Sequence, residues 1–210
     1  MNAAALKHLA DADPVMRRLI RETGPCRLKP ETRRPPFQSL VLAVAHQQLN
    51  GTAAGSILAR FKQLFPGRRF PRAEDLGAVT DPQLRACGFS FAKIRAIRDI
   101  AEKTRSGVVP ATRQIVKWSD EEIIARLTEV RGVGRWTVEM LLIFQLGRPD
   151  VLPADDFGVR SGFSAAYGRT ALPKPRELMD FGERWKPHRT TAAWYLWRAA
   201  DAPKNPKKKK

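Results

Sequence analysis

Apolar residues in this chain recur mostly at three- and four-residue intervals, the period of helices with one buried face. Ala4 to Leu9 and Pro14 to Ile20 read as two short helical pieces, followed by a proline-rich break from Pro25 to Pro36. In FQSLVLAVAHQQLNGTAAGSILARFKQLF the stripe runs through Leu40, Val41, Val44 and Ala45. Beyond Asn50-Gly51 it resumes at Ala54, Ile57, Leu58, Phe61 and Phe65, which predicts two helices around a polar corner. The same period marks DPQLRACGF, SFAKIRAIRDIAEKTRSG, SDEEIIARLTEV and RWTVEMLLIFQLG, with Asp81, Ser90 and Ser119 as N-caps. DDFGVRSGFSAAYG, PRELMDFGERW and PHRTTAAWYLWRAAD close the chain in the same manner. Few segments alternate with period two, so the pattern predicts an all-α protein without internal repeats.

Composition sharpens this picture. A chain of 210 residues with 43% hydrophobic content can bury a substantial core as one domain or two small lobes. Its 38 Lys and Arg against 21 Asp and Glu leave a formal charge of +17. That excess points to a polyanionic partner, nucleic acid or an acidic membrane face. Five of the lysines fall in the closing PKNPKKKK, a proline-punctuated run that cannot bury apolar surface, so 201–210 are expected to be a disordered lysine-rich tail. Cys26 and Cys87 are too few for a disulfide framework, and a reducing compartment is expected. No run approaches the roughly 18 apolar residues of a membrane span. The N-terminus lacks the apolar core of an export signal. The expectation is a soluble, intracellular, monomeric protein.

Candidate chemistry begins at LTEVRGVGRWTVEML. Leu127 and Val130 end one helix, Gly132-Val133-Gly134 turn the chain, and Val138, Leu141 and Leu142 face back from the next. Glycine suits such a turn because it takes positive φ cheaply and lets the backbone approach a ligand. A plain helix-turn-helix connection accounts for a lone Gly-x-Gly. With its flanking apolar positions, however, the stretch resembles the helix-hairpin-helix motif of DNA-binding proteins. In that motif the amides of Gly134, Arg135 and the next residues, including Thr137, would face a phosphate from a helix N-terminus. An acidic pair follows in VLPADDFGVRSGF, on a helix start. Together with LAVAHQQLNGTAA, CGFSFAKIRAI and RWKPHRTTAAWYLWR, these motifs resemble the helix-hairpin-helix (HhH-GPD) DNA glycosylase superfamily, and within it the DNA-3-methyladenine glycosylase II group. The resemblance implies a two-lobed helical bundle with a cleft between the lobes. Residues 36–200 would form the glycosylase domain, and 1–35 a helical segment packing with the C-terminal helices.

The resemblance also assigns roles. Asp156 matches the family's catalytic aspartate, placed where a helix N-terminus favours negative charge, while Asp155 reads as the helix cap. Relatives that also cut the backbone carry a lysine nucleophile where this chain has Trp136, and an indole cannot form a Schiff base. A monofunctional enzyme follows. Nor does the chain have the four cysteines of an iron–sulfur cluster. Trp136, Met140 and Trp197 would line the base pocket, an aromatic face attracting a cationic alkylated base by ~0.5–2 kcal/mol. Met140 departs from a position that is often aromatic in the family, and Trp194 reads as core. The polar corner HQQLN sits where the family places the wedge that fills the gap left by a flipped base. There Gln48 is the expected residue and Leu49 the alternative.

No cofactor is required by this reading. The family implies a structural Na⁺ or K⁺ on the backbone carbonyls of Thr128, Val130 and Val133. Lys93, Arg95 and Arg98 suit either phosphate contact or a solvated face. The expected function is hydrolysis of the N-glycosidic bond of alkylated purines such as 3-methyladenine and 7-methylguanine in damaged double-stranded DNA, as a step of base excision repair. A glycosylase for a neutral lesion (uracil, hypoxanthine or an oxidised purine) and a non-enzymatic hairpin module remain the alternatives.

Overall fold

A computed structural model describes residues 3–49 and 51–202; most of the expected lysine-rich tail, 203–210, lies outside the described residues. In chain order its helices are α1 (Ala3–Ala12), α2 (Pro14–Thr23), α3 (Pro36–His46), α4 (Gly51–Gln63), α5 (Asp81–Ala86) and α6 (Phe91–Arg105). There follow α7 (Thr112–Ile115), α8 (Asp120–Leu127), α9 (Arg135–Leu141), α10 (Phe157–Ala166), α11 (Pro175–Gly182) and α12 (Arg189–Asp201). No strand occurs among the described residues, and the all-α expectation holds. Residues 3–30 and 147–202 make one compact unit and residues 31–146 another. The stretch 36–200 is thus divided between two units.

In the first unit α1, α2, α10, α11 and α12 gather around Leu9, Met16, Phe163, Leu178, Trp185, Tyr195 and Leu196. α10 lies against α12 so closely that a Cβ on Gly162 would stand 1.8 Å from the Leu196 carbonyl oxygen. Only glycine permits that approach. Asp13 caps α2 by accepting from the Val15 and Met16 amides. It is 1% exposed, and its second oxygen accepts from the Tyr167 hydroxyl at 2.5 Å and the Trp185 indole at 3.0 Å. A buried carboxylate is tolerable only when so fully partnered. Burial, and then the bond to Asp13, push the Tyr167 phenol well above its usual range.

The second unit buries Leu40, Val44, Phe61, Phe89, Ile94, Ile97, Ile123, Leu127 and Val138. Its helix starts follow local chemistry. Ser90 and Ser119 cap α6 and α8 as expected, the latter in a capping box with Glu122. The cap of α5 is Thr80, not Asp81: its hydroxyl accepts from the Gln83 amide while the Gln83 side chain returns to the Thr80 amide. Asp81 instead accepts from Arg98 at 2.9 Å. Arg98 also donates to the Leu76 and Val79 carbonyls, so this cation is spent on the protein itself. After α9 the chain widens into a π-helical turn over Leu142–Leu146.

Candidate functional site

The glycine turn does form a hairpin. α8 ends at Thr128, whose hydroxyl folds back onto the Ile124 and Ala125 carbonyls, and α9 starts at Gly134. Buried Val130 and Val133 anchor the turn from beneath, with the Val133 amide donating to the Val130 carbonyl at 3.0 Å. Gly132 takes φ +76°, and a Cβ there would stand 3.1 Å from that of Ala96. Gly134 adopts ordinary extended φ with open space where a Cβ would be, and no side chain caps α9. The N-cap glycine supplies no side-chain acceptor to the first turn of this helix, and a helix start of that kind can receive an anion. Of the expected contact residues, Arg135 turns back along α9 onto buried Glu139 at 3.0 Å, and the Thr137 side chain is buried, which leaves its backbone for contact.

The polar corner between α3 and α4 is tied to this hairpin. The Gln47 side chain donates to the Gly132 carbonyl at 2.9 Å. Lys93 of α6 donates to the carbonyls of Ala45 and Gln47, both at 2.9 Å, capping the end of α3. Burial lowers the affinity of its amine for a proton. Lys93 is thus a brace and not a phosphate ligand, Arg98 likewise, and of Lys93, Arg95 and Arg98 only Arg95 is exposed. Asp99 accepts from the Arg131 amide at 2.7 Å, so α6 holds both the corner and the hairpin. Gln48, the expected wedge, has φ +57°, a left-handed conformation that non-glycine residues seldom adopt. It is exposed, as is Leu49 beside it. Sequence reading missed Gln47, Lys93 and Asp99 as the struts of this assembly.

In the other unit Asp156 and Trp197 come together. Asp156 is the N-cap of α10: its Oδ1 accepts from the Val159 amide at 2.8 Å and from the Trp197 indole nitrogen at 2.8 Å. The capping role expected of Asp155 therefore belongs to Asp156, and Asp155 is exposed. Trp197, expected as a pocket wall, grips the carboxylate instead of merely offering a face. Both residues are half-buried. A Cβ on Gly158 would stand 2.9 Å from Trp197 Cδ1 and 3.1 Å from Asp156 Oδ1, so the pair requires glycine there. A glycine in the first turn of a helix was the available signal, since such a residue usually marks a close approach. Next to the acid, Phe157 stands 71% exposed, an unusual setting for so large an apolar side chain.

Trp136 lies in the second unit, on the first turn of α9, with 44% of its surface exposed. Met140, one turn further on, lines a cavity of about 580 Å³ together with Thr137, Leu42, His46 and Phe144. His46 is held to the Leu42 carbonyl at 2.8 Å, as a structural histidine would be. Among the described residues no cluster of His, Cys, Asp or Glu could hold a metal ion. No described helix is long and apolar enough to cross a membrane.

Comparison with known proteins supports the same assignment. The profile of the family described as "HhH-GPD superfamily base excision DNA repair protein" matches residues 41–188. DNA-3-methyladenine glycosylase 1 of Schizosaccharomyces pombe is 41% identical over 194 residues, 92% of this chain and 85% of that protein. The solved structure of the S. pombe 3-methyladenine DNA glycosylase in complex with abasic DNA superimposes with a TM-score of 0.86, at 41% identity, covering 93% of this chain and 96% of that one. The DNA-3-methyladenine glycosidase of Bacillus halodurans gives a TM-score of 0.86 at 34% identity, covering 96% and 91%. With hairpin, capped aspartate and overall helix order all in place, the chain belongs to the HhH-GPD superfamily of base excision DNA repair proteins.

Proposed function

We propose that the protein is a monofunctional DNA glycosylase that removes alkylated purines, of the 3-methyladenine and 7-methylguanine type, from double-stranded DNA. The observation that carries this reading is the Asp156 carboxylate, anchored through one oxygen by the Val159 amide and the Trp197 indole. Its sequence context supports the substrate class, through 41% identity to a protein named for 3-methyladenine.

In the proposed reaction the bond between sugar C1′ and the base nitrogen breaks heterolytically. The electron pair passes to the base and cancels the positive charge that alkylation had placed on it. Positive charge develops on the sugar, as in other glycoside hydrolyses. A fixed carboxylate stabilises that charge and orients the incoming water, whose oxygen bonds C1′ while its proton passes to the carboxylate or to solvent. Because the leaving base is already cationic, no strong general acid is needed. Trp136 offers an aromatic face that attracts such a base by ~0.5–2 kcal/mol and carries no amine for a Schiff base, so the strand stays intact. The hairpin amides grip the backbone, and Gln48 or Leu49 fills the gap left when the base leaves the stack, which costs a few kcal/mol. The carbonyls of Thr128, Val130 and Val133 are neutral oxygens of the kind that suit Na⁺ or K⁺, although Val130 already shares its oxygen with the Val133 amide. The enzyme would act as a monomer inside the cell, where its substrate lies.

Incubation with N-methylated DNA and chromatography of the released bases tests this function. Wild-type protein should release free methylpurines. Asp156→Asn should lower release by about 100-fold or more while binding to an abasic-analogue duplex stays near the wild-type level. An undiminished rate in that variant would remove Asp156 from the mechanism. Release of uracil or hypoxanthine in preference to methylpurines would reassign the substrate.

A further inference from the structure

Away from the hairpin, the second unit carries a concavity of about 710 Å³ lined by Arg33, Arg34, Lys62, Arg68, Arg69 and Arg72. Glu31 is its one acidic lining residue and pairs with Arg34 at 2.7 Å. Arg68 pairs with Asp75 at 3.0 Å, and the same Asp75 oxygen accepts from the Arg72 amide. Among the described residues, the side chains of Arg33, Lys62, Arg69 and Arg72 have no carboxylate partner, and all four are exposed. Six cations facing one hollow repel one another. A fold that keeps four of them there without a carboxylate partner presents a surface for a polyanion.

The position of the hollow says which polyanion. α3 forms its inner wall through Gln38 and Leu42. The far end of α3 carries Gln47, which bonds the hairpin at Gly132. Nine residues separate Gln38 from Gln47, about 14 Å of helix, or about four base-pair steps of duplex. Both surfaces belong to the same compact unit. We infer that this concavity holds the phosphates of duplex DNA flanking the site gripped by the hairpin, a second backbone contact that reads no sequence. The inference rests on the reading of the chain as a DNA-binding enzyme. It adds a footprint longer than the hairpin, and neither the glycine motif nor the candidate catalytic residues take part in it.

The test uses the full chain with Arg33→Gln, Lys62→Gln and Arg69→Gln combined, bound to an undamaged duplex at several salt concentrations. Losing three phosphate contacts should reduce the slope of log affinity against log salt by about 2.7. Between 50 and 200 mM salt, wild-type binding should then weaken by about 40-fold more than binding of the variant. The charge-conserving combination Arg33→Lys with Arg69→Lys should keep the wild-type slope, and a matching melting temperature excludes unfolding as the cause. A triple variant with the wild-type slope would overturn the inference. If that variant also lost binding to polyglutamate, the hollow would belong to an acidic protein partner. Because undamaged DNA suffices, the outcome does not depend on base release, and failure of the enzymatic reading would show separately as intact methylated DNA.

Discussion

Replacing Trp197 by Phe isolates what the indole nitrogen does. The substitution keeps a flat apolar ring beside Gly158 and deletes one donor, the N–H that meets Asp156 Oδ1 at 2.8 Å. A hydrogen bond to a charged acceptor contributes about 1.5–3 kcal/mol. The Val159 amide, also at 2.8 Å on Oδ1, remains, so the helix cap survives and the fold should be nearly as stable. The carboxylate then loses one of the donors that fix its Oδ1. If the full loss falls on the transition state, base release should slow by about 10- to 160-fold, each 1.36 kcal/mol being a factor of ten. Single-turnover release of methylpurines at saturating enzyme, with Trp197→Ala alongside, measures it. Anchoring predicts that Phe is nearly as slow as Ala. A Phe variant at the wild-type rate beside a slow Ala variant would show that Trp197 acts through its ring face alone, and would refute the positioning argument.

Other perturbations follow from the same geometry. Gly132→Ala must place a side chain at φ +76° and against Ala96, a conformational cost of about 1–2 kcal/mol; it should lower the melting temperature and weaken DNA binding together. Gly134→Ala has room and ordinary φ, so it should melt like the wild type yet bind DNA less tightly, because its Cβ would stand between the α9 amides and a phosphate; equal binding would argue against close backbone approach there. Asp13→Ala removes a helix cap and orphans the Tyr167 hydroxyl and the buried Trp185 indole. The cost should be about 3–5 kcal/mol and the melting temperature about 10 °C lower, read by calorimetry or circular dichroism; a drop of only a degree or two would mean that water satisfies those donors.

Much of this was legible along the chain because helices are local objects. The i, i+3, i+4 recurrence of Leu40, Val41, Val44 and Ala45 marks one buried face wherever the helix finally docks, and all four are buried. Ser90 and Ser119 announce helix starts through bonds that reach only three residues ahead. The shift of two caps by one residue, from Asp81 to Thr80 and from Asp155 to Asp156, has the same origin in reverse. Neighbouring oxygens can both serve, and a distant partner can either draw one away from the helix start, as Arg98 does Asp81, or fix it there, as Trp197 does Asp156. Arg98 takes Asp81 across 17 residues, and Trp197 meets Asp156 across 41.

The chain alone therefore determined an all-helical protein, a glycine hairpin and a strongly basic composition. These depend on backbone periodicity, on glycine's freedom of φ and on side-chain chemistry, none of which needs a tertiary partner. What the folded structure decided were the contacts between residues remote in sequence. They are Gln47 latched to Gly132, Lys93 and Asp99 bracing corner and hairpin from α6, Asp13 satisfied by Tyr167 and Trp185, and Trp197 holding Asp156. Each joins groups whose meeting is set by how whole helices pack, and side-chain packing carries no period that a linear pattern could display.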